Sequence, residues 1–205
     1  VDTENYSYSE LTNEINIHSG GISTGLGVYP DANIKDKYHI KYEFRVKVLE
    51  DELETALSLI KEIILSSKIE DVKRLAEIIS QTKSRLQSVL SSSGHVVSAT
   101  RSLAYFSQYS YIQDATTGIA YYDEVCKMDE LMKTNPQAVV DRLRKVMHLM
   151  FGQSRLMISY TNVGESYKKA VPALDEFIKS IPEGVEKGVC KRLVLGKRNE
   201  GFTDA

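Results

Sequence analysis

Tyr38-His39-Ile40-Lys41-Tyr42-Glu43-Phe44-Arg45-Val46-Lys47-Val48 runs through Leu49 into Glu50-Asp51-Glu52-Leu53-Glu54-Thr55-Ala56-Leu57-Ser58-Leu59-Ile60-Lys61-Glu62-Ile63-Ile64, and this stretch holds both periods that decide the fold. In the first part six apolar positions alternate with His39, Lys41, Glu43, Arg45 and Lys47. Period two means a β-strand with one buried face. In the second part Leu53, Leu57, Ile60 and Ile64 recur at three- and four-residue spacings, the stripe of a core-facing helix. Glu50-Asp51-Glu52 puts negative charge at the start of that helix, where the helix dipole favours it.

Upstream, Ser9–Ile15 reads as a short helix with Leu11 and Ile15 on one face, stopped by Gly20-Gly21. Ile22, Thr24, Leu26 and Val28 then alternate as a strand ending at Tyr29-Pro30-Asp31. The Pro30–Lys37 loop is short enough to join antiparallel neighbours. Downstream, a helix begins near Ile69-Glu70-Asp71 and carries Leu75, Ile78, Ile79, Leu86 and Leu90 until Ser91-Ser92-Ser93-Gly94 interrupts it. Val96, Val97, Leu103 and Phe106 indicate helix again. Asn135-Pro136 combines an N-cap residue with proline at the first helical position, and Gly152 ends the helix that follows.

Arg155–Thr161 reads as a third strand, and Glu165–Ser180 as a helix with a kink or late start at Pro172. Cys190–Leu195 reads as a fourth strand after Ile181-Pro182-Glu183-Gly184. The expected class is α+β, an antiparallel sheet with helices packed on one face. Roughly half the residues would be helical, above the base rate of about a third.

A length of 205 residues suits one domain and part of a second. Basic and acidic side chains number 26 and 28, for a net charge of −2, which leaves no electrostatic case for nucleic acid or an anionic membrane. No stretch reaches the roughly 18 apolar residues of a membrane span. Two cysteines, Cys126 and Cys190, are too few for a disulfide scaffold and fit a reducing compartment, so the expected location is cytoplasmic. The chain opens on Val1 and closes on Gly201-Phe202-Thr203-Asp204-Ala205 directly after a strand, so both ends are expected to be cuts in a longer protein.

Candidate chemistry is sparse. His18, His39, His95 and His148 include no pair at the i, i+4 spacing of a zinc helix, and neither cysteine belongs to a Cys-x-x-Cys pair. Gly20-Gly21 and Gly25-x-Gly27 lie between a helix and a strand, the reverse of the order a dinucleotide loop needs, so close packing inside a strand is expected there. Ser91-Ser92-Ser93-Gly94-His95 places hydroxyls beside an imidazole, but neighbours in sequence rarely form a nucleophile–base pair. Helix punctuation with serine capping is expected instead. Tyr105, Tyr109, Tyr111, Tyr121 and Tyr122 suit either a peptide-contact wall or, preferred here, a buried helix packed on a sheet. Base stacking is disfavoured, because Arg101 alone supplies positive charge nearby. No residue is assigned as catalytic or metal-binding, and the substrate-binding residues are unknown at this stage.

Three ordered segments resemble one family: Tyr8-Ser9-Glu10-Leu11 through Glu14-Ile15-Asn16-Ile17-His18-Ser19-Gly20-Gly21-Ile22; Gln81-Thr82-Lys83-Ser84-Arg85-Leu86 through Ser92-Ser93-Gly94-His95; and Arg101-Ser102-Leu103-Ala104-Tyr105-Phe106-Ser107. With Asn199-Glu200-Gly201-Phe202 they resemble the C-terminal half of presequence protease-type enzymes, a branch of the insulinase/pitrilysin-like zinc metallopeptidases. The resemblance implies two clamshell halves, each of two α/β roll domains, around a peptide-degrading chamber. Residues 1–181 would be the third domain, lacking its first strand and helix, and 182–205 a linker and the first strand of the next domain. Zinc would be held by a His-x-x-Glu-His motif in the absent N-terminal half, the Glu activating water. This chain would carry no zinc, form part of the chamber wall and be inactive alone.

The implied partners are a short or unfolded peptide substrate and the catalytic half of the same chain, with no nucleic acid and no membrane. An unpaired strand edge would favour self-association. The alternative is a non-catalytic structural subunit of the same fold, as in respiratory-complex core proteins.

Overall fold

A computed structural model describes residues 1–34 and 38–185, together with Leu195. In chain order these form helix α1 (Tyr8–His18), strands β1 (Ile22–Pro30) and β2 (Tyr38–Val46), and helices α2 (Leu53–Ser66), α3 (Val72–Ser92), α4 (Gly94–Leu103), α5 (Gln108–Thr117), α6 (Ile119–Thr134), α7 (Pro136–Met150) and α8 (Ser166–Ser180). Short 3-10 turns at Glu50–Glu52 and Gln153–Arg155 precede α2 and follow α7. The class is α+β, dominated by helix, with one two-stranded antiparallel sheet among the described residues.

Local chemistry explains where the elements begin and end. Ser7 and Glu10 form a capping box on α1: the Glu10 N–H donates to Ser7 Oγ (3.3 Å) and the Ser7 N–H to Glu10 Oε2 (2.9 Å). These bonds hold the Glu10 carboxyl below its ordinary pKa. After α1 the chain turns at Gly21, whose φ of 98° suits a residue without Cβ. The Gly20 N–H donates to Lys47 O at 2.7 Å and ties the base of the hairpin. Asn135 caps α7 as expected, its Oδ1 accepting from the Ala138 N–H at 3.2 Å. Helix α8 starts at Ser166, so Pro172 imposes no late start and lies inside the helix.

The chain divides into two compact units. The first draws on Val1–Gly25, Phe44–Val72 and Val140–Val189. Its core joins Leu53, Leu57, Ile60 and Ile64 of α2 to Ala170, Ala173 and Phe177 of α8 and to Ile181, with Ile22, Phe44, Val46 and Val48 packed against them. The stripe expected for α2 is therefore its buried face, and helices cover one face of the hairpin at its base. Gly152 and Gly184 meet backbone to backbone: a Cβ on either would fall 2.6 or 2.7 Å from the other's Cα. Beside them the Gln153 N–H donates to Pro182 O (2.9 Å) and Gln153 Nε2 to Ile181 O (2.6 Å), holding the segment after α8 against the turn after α7.

The second unit draws on Leu26–Glu43, Lys73–Val139 and Cys190–Ala205. Its described part is mainly the succession α3–α6, with Leu75, Ile79, Leu86, Val97, Ile112, Ile119, Val125 and Met132 buried.

Three expectations need correction. Arg155–Thr161 is not a strand: Gln153–Arg155 is a 3-10 turn, and Leu156–Thr161 joins no ladder among the described residues. The alternation is real, since Ile158 and Tyr160 both pack on the core, but a strand also needs a hydrogen-bonded neighbour. The buried face expected along the whole hairpin is nowhere fully buried; Ile22, Val28, Tyr38, Phe44 and Val46 are half-buried. Leu26 and Ile40 are 53% and 50% exposed, and Tyr42 is exposed as well. Finally, the tyrosines from 105 to 122 are not core residues; each is half-buried or exposed. The expected strand Cys190–Leu195 lies outside the described residues except for Leu195.

Candidate functional site

From Gly94 to Tyr122 the sequence carries a single Arg, Arg101, and a single carboxylate, Asp114. The structure brings these two together. Arg101 Nη1 of α4 lies 2.5 Å from Asp114 Oδ2 of α5, with side chains 13% and 2% exposed. The other carboxylate oxygen accepts from the N–H of Ile119 at 3.0 Å and of Ala120 at 3.5 Å, the first residues of α6. A carboxylate at a helix N-terminus satisfies otherwise unpaired N–H groups and meets the positive end of the dipole. Asp114 thus joins α4, α5 and α6 at one point. Gly118 makes room for it: a Cβ there would lie 2.4 Å from Asp114 Oδ1.

With both charges consumed internally, the outer surface of α4 and α5 is neutral apart from His95. Val96, Leu103, Tyr109 and Tyr111 are exposed there, and Phe106 is 80% exposed. The guanidinium of Arg101 lies 6.0 Å from the centre of the Tyr105 ring, and Gln113 Nε2 donates to the Tyr109 hydroxyl at 3.1 Å. Such a surface offers apolar area and hydroxyl groups; it has no acid–base pair with which to do chemistry. The charge-poor sequence around Arg101 and Asp114 was the signal for this pair, and weighing Arg101 only as the positive charge near the tyrosines missed it.

On α6, Asp129 Oδ2 accepts from Lys83 Nζ of α3 at 2.8 Å and from Lys133 Nζ at 3.0 Å. The two lysines hold the Asp129 carboxyl below its ordinary pKa, and Asp129 raises that of Lys83. One turn from Asp129 lies Cys126, a half-buried free thiol; its hydrogen bond with Tyr122 pushes the phenol pKa up. The pairing of Lys83 with Asp129 braces α3 against α6.

The four histidines are dispersed. His18 Nδ1 lies 2.8 Å from Glu52 Oε2 and its Nε2 3.4 Å from Glu14 Oε2, so a carboxylate occupies each ring nitrogen. His39 is exposed on β2, 3.6 Å from Asp31 Oδ2. His95 and His148 are exposed. Among the described residues no three His, Cys, Asp or Glu side chains converge as a metal's ligands would. Ser91 and Ser92 turn their hydroxyls back onto Gln87 O and Val89 O, and Ser93 starts α4 without a side-chain cap. The serine run is therefore helix punctuation, although not by capping. At Gly27 the expected close approach is present: a Cβ there would meet the Tyr29 ring at 2.6 Å and Glu43 Oε1 at 2.7 Å. Gly25 has open space.

The first unit holds a cleft of about 530 Å³ between the extended Leu156–Tyr160 segment and α8. Leu156, Ile158, Tyr160, Tyr167, Val171, Leu174 and Ile178 form its walls, with Gln153, Ser159 and Asp175 as polar groups. Its volume lies in the range of ordinary ligand sites. Among the described residues no helix is long and apolar enough to cross a membrane.

The family described as Peptidase M-16C associated matches residues 1–128. Protein HypA of Clostridium perfringens (strain 13 / Type A) is 29% identical over 200 residues, 98% of this chain and 20% of that protein. Presequence protease 1, chloroplastic/mitochondrial, of Arabidopsis thaliana is 20% identical over 192 residues, 92% of this chain and 17% of that protein. The mitochondrial presequence protease of Drosophila melanogaster is 21% identical over 183 residues, 89% of this chain and 17% of that protein. The chain spans about a fifth of the length of these relatives. It belongs to the Peptidase M-16C associated family, as a C-terminal-half segment of the insulinase/pitrilysin-like, presequence protease-type branch.

Proposed function

We propose that this chain is a non-catalytic part of the C-terminal half of a zinc metalloendopeptidase, where it walls a chamber in which short or unfolded peptides are cut. The observation that carries the reading is the likeness to presequence proteases along about nine-tenths of the chain, together with the family match over residues 1–128. The physical features support it. The second unit presents a neutral surface of exposed aromatic and aliphatic side chains, suited to sequence-tolerant contact with unfolded peptide. In the proposed parent, residues 1–181 form the third domain, of the α/β roll type, and 182–205 lead into the fourth.

In this reading zinc and its activated water belong to the N-terminal half, where the resemblance puts the His-x-x-Glu-His motif. Its own residues order a scaffold and limit what enters by size and shape. The proposed compartment is the cytoplasm, supported by the two dispersed cysteines. Self-association of the isolated chain belongs to the same proposal. Sequencing the coding region upstream of Val1 tests the reading. A His-x-x-Glu-His motif several hundred residues earlier is expected, and an open reading frame without it overturns the proposal.

A further inference from the structure

We propose that the outer stripe of α7, made of Arg142, Lys145, Val146 and Leu149, is a docking surface for an acidic amphipathic helix in the part of the parent outside these 205 residues. The inference rests on the proposed function only for the origin of that helix; its chemistry is read from the stripe.

Spacing puts the four residues together. Positions 142, 145, 146 and 149 stand at i, i+3, i+4 and i+7, so their side chains share one side of α7 over about two turns. All four are exposed, and all belong to the first unit. Val139, seven residues before Val146 on the same row, is fully buried. The apolar row of α7 therefore runs on past the core that covers its start, and Val146 and Leu149 stand exposed among two cations.

The sign of the charge selects the occupant. Asp141 is the one carboxylate of α7, and Arg144 Nη1 lies 3.7 Å from it. Arg144 Nη2 and Nε donate to Glu70 Oε1 at 2.6 and 3.0 Å. Arg144 thus engages both acids, and Arg142 and Lys145 give the stripe its positive charge. Two cations interleaved with two apolar side chains match a helix that carries Glu or Asp beside Leu or Ile at the same spacing. A second copy of this chain would set these cations against their own kind. Nucleic acid offers nothing to Val146 and Leu149. A membrane surface asks for a broader apolar face than two side chains, and the net charge of −2 opposes anionic lipid. The chain spans about a fifth of the length of its relatives, so a parent of that size holds ample further surface to supply the helix.

The test labels Lys145 in the full-length parent and in the isolated chain. An amine-acylating reagent reads its exposure, and a carbodiimide joins its amine to a carboxylate already in contact. Expected are acylation about tenfold slower or more in the parent, and a cross-link from Lys145 to a Glu or Asp on a helix outside this chain. Arg142→Glu sets like charge against that helix and should return Lys145 acylation to its rate in the isolated chain. Arg142→Lys should keep the protection. In the isolated chain neither variant should shift the melting temperature, because the side chain is exposed.

Equal acylation in parent and isolated chain, protection that survives Arg142→Glu, or a cross-link to a second copy or a separate protein would overturn the inference. Protection of Lys145 by phosphatidylserine vesicles but not in the parent would do the same, since the occupant would then be a membrane. A parent that cleaves nothing while its acidic helix protects Lys145 would refute the proposed function and leave the docking surface standing. A parent that cleaves peptide with Lys145 fully reactive would do the reverse.

Discussion

Asp114 grips the guanidinium of Arg101 at 2.5 Å with one carboxylate oxygen and caps helix α6 with the other, so one buried side chain fixes the mutual placement of α4, α5 and α6. Removing one partner of such a pair strands the other charge where water cannot reach it. Asp114→Ala should therefore cost about 3–5 kcal/mol in urea unfolding, whereas replacing both residues by Leu and Met should cost markedly less. The double-mutant cycle measures the coupling. A loss below about 1 kcal/mol for Asp114→Ala, the range of an exposed pair, would contradict this role.

Gly118 and Gly94 should respond oppositely to the same substitution. At Gly118 a methyl group would fall 2.4 Å from Asp114 Oδ1 and 2.9 Å from Asp114 Cα, so Gly118→Ala should destabilise by about 1–3 kcal/mol. Gly94 has nothing within 4 Å of the corresponding position and begins a helix. Gly94→Ala should raise stability by a few tenths to about 1 kcal/mol. Chemical denaturation of both variants decides it, and equal effects would refute the packing described.

The ion pairs of Asp129 should mark the acid limb of stability. Lys83 and Lys133 depress its folded pKa below the ordinary 3.8, so its contribution is present above the unfolded value and is lost as pH falls through the folded one. The stability gap between the native chain and Asp129→Asn should be full near neutral pH and shrink once pH drops below about 4. Lys83 has the opposite sign: its raised pKa lends stability that is lost only at strongly alkaline pH. Melting curves between pH 7 and pH 3 test the acid side, and a gap that widens as pH falls would contradict the assignment.

Much of this architecture was legible because it is written in local periods and caps. The Tyr38–Val48 alternation, the Leu53–Ile64 stripe, the Asn135-Pro136 start and the Ser91–Gly94 break all correspond to observed boundaries. What failed depended on partners distant in sequence. Arg155–Thr161 has the side-chain pattern of a strand, but pairing is a property of two segments, and alternation in one cannot supply it. The outer half of the hairpin has the same pattern as its base, yet Leu26 and Ile40 are exposed while Ile22, Phe44 and Val46 pack against α2 and α8. The tyrosine cluster was read as core because aromatic rings usually are buried. Its exposure follows from neighbours such as Val96, Leu103 and Phe106, which leave α4 and α5 with an apolar outer surface. Arg101 and Asp114 lie thirteen positions apart, at no helical spacing, and only the turn between α4 and α5 makes them adjacent.

The role assigned to the chain is tested most directly by loading the purified protein with zinc, removing the excess, and measuring bound metal and cleavage of a quenched fluorescent peptide in parallel. Less than one-tenth of an equivalent of zinc, and cleavage no faster than buffer, is the expected result for a non-catalytic segment whose histidines lie apart. Stoichiometric zinc accompanied by chelator-sensitive cleavage that co-purifies with the chain would contradict it.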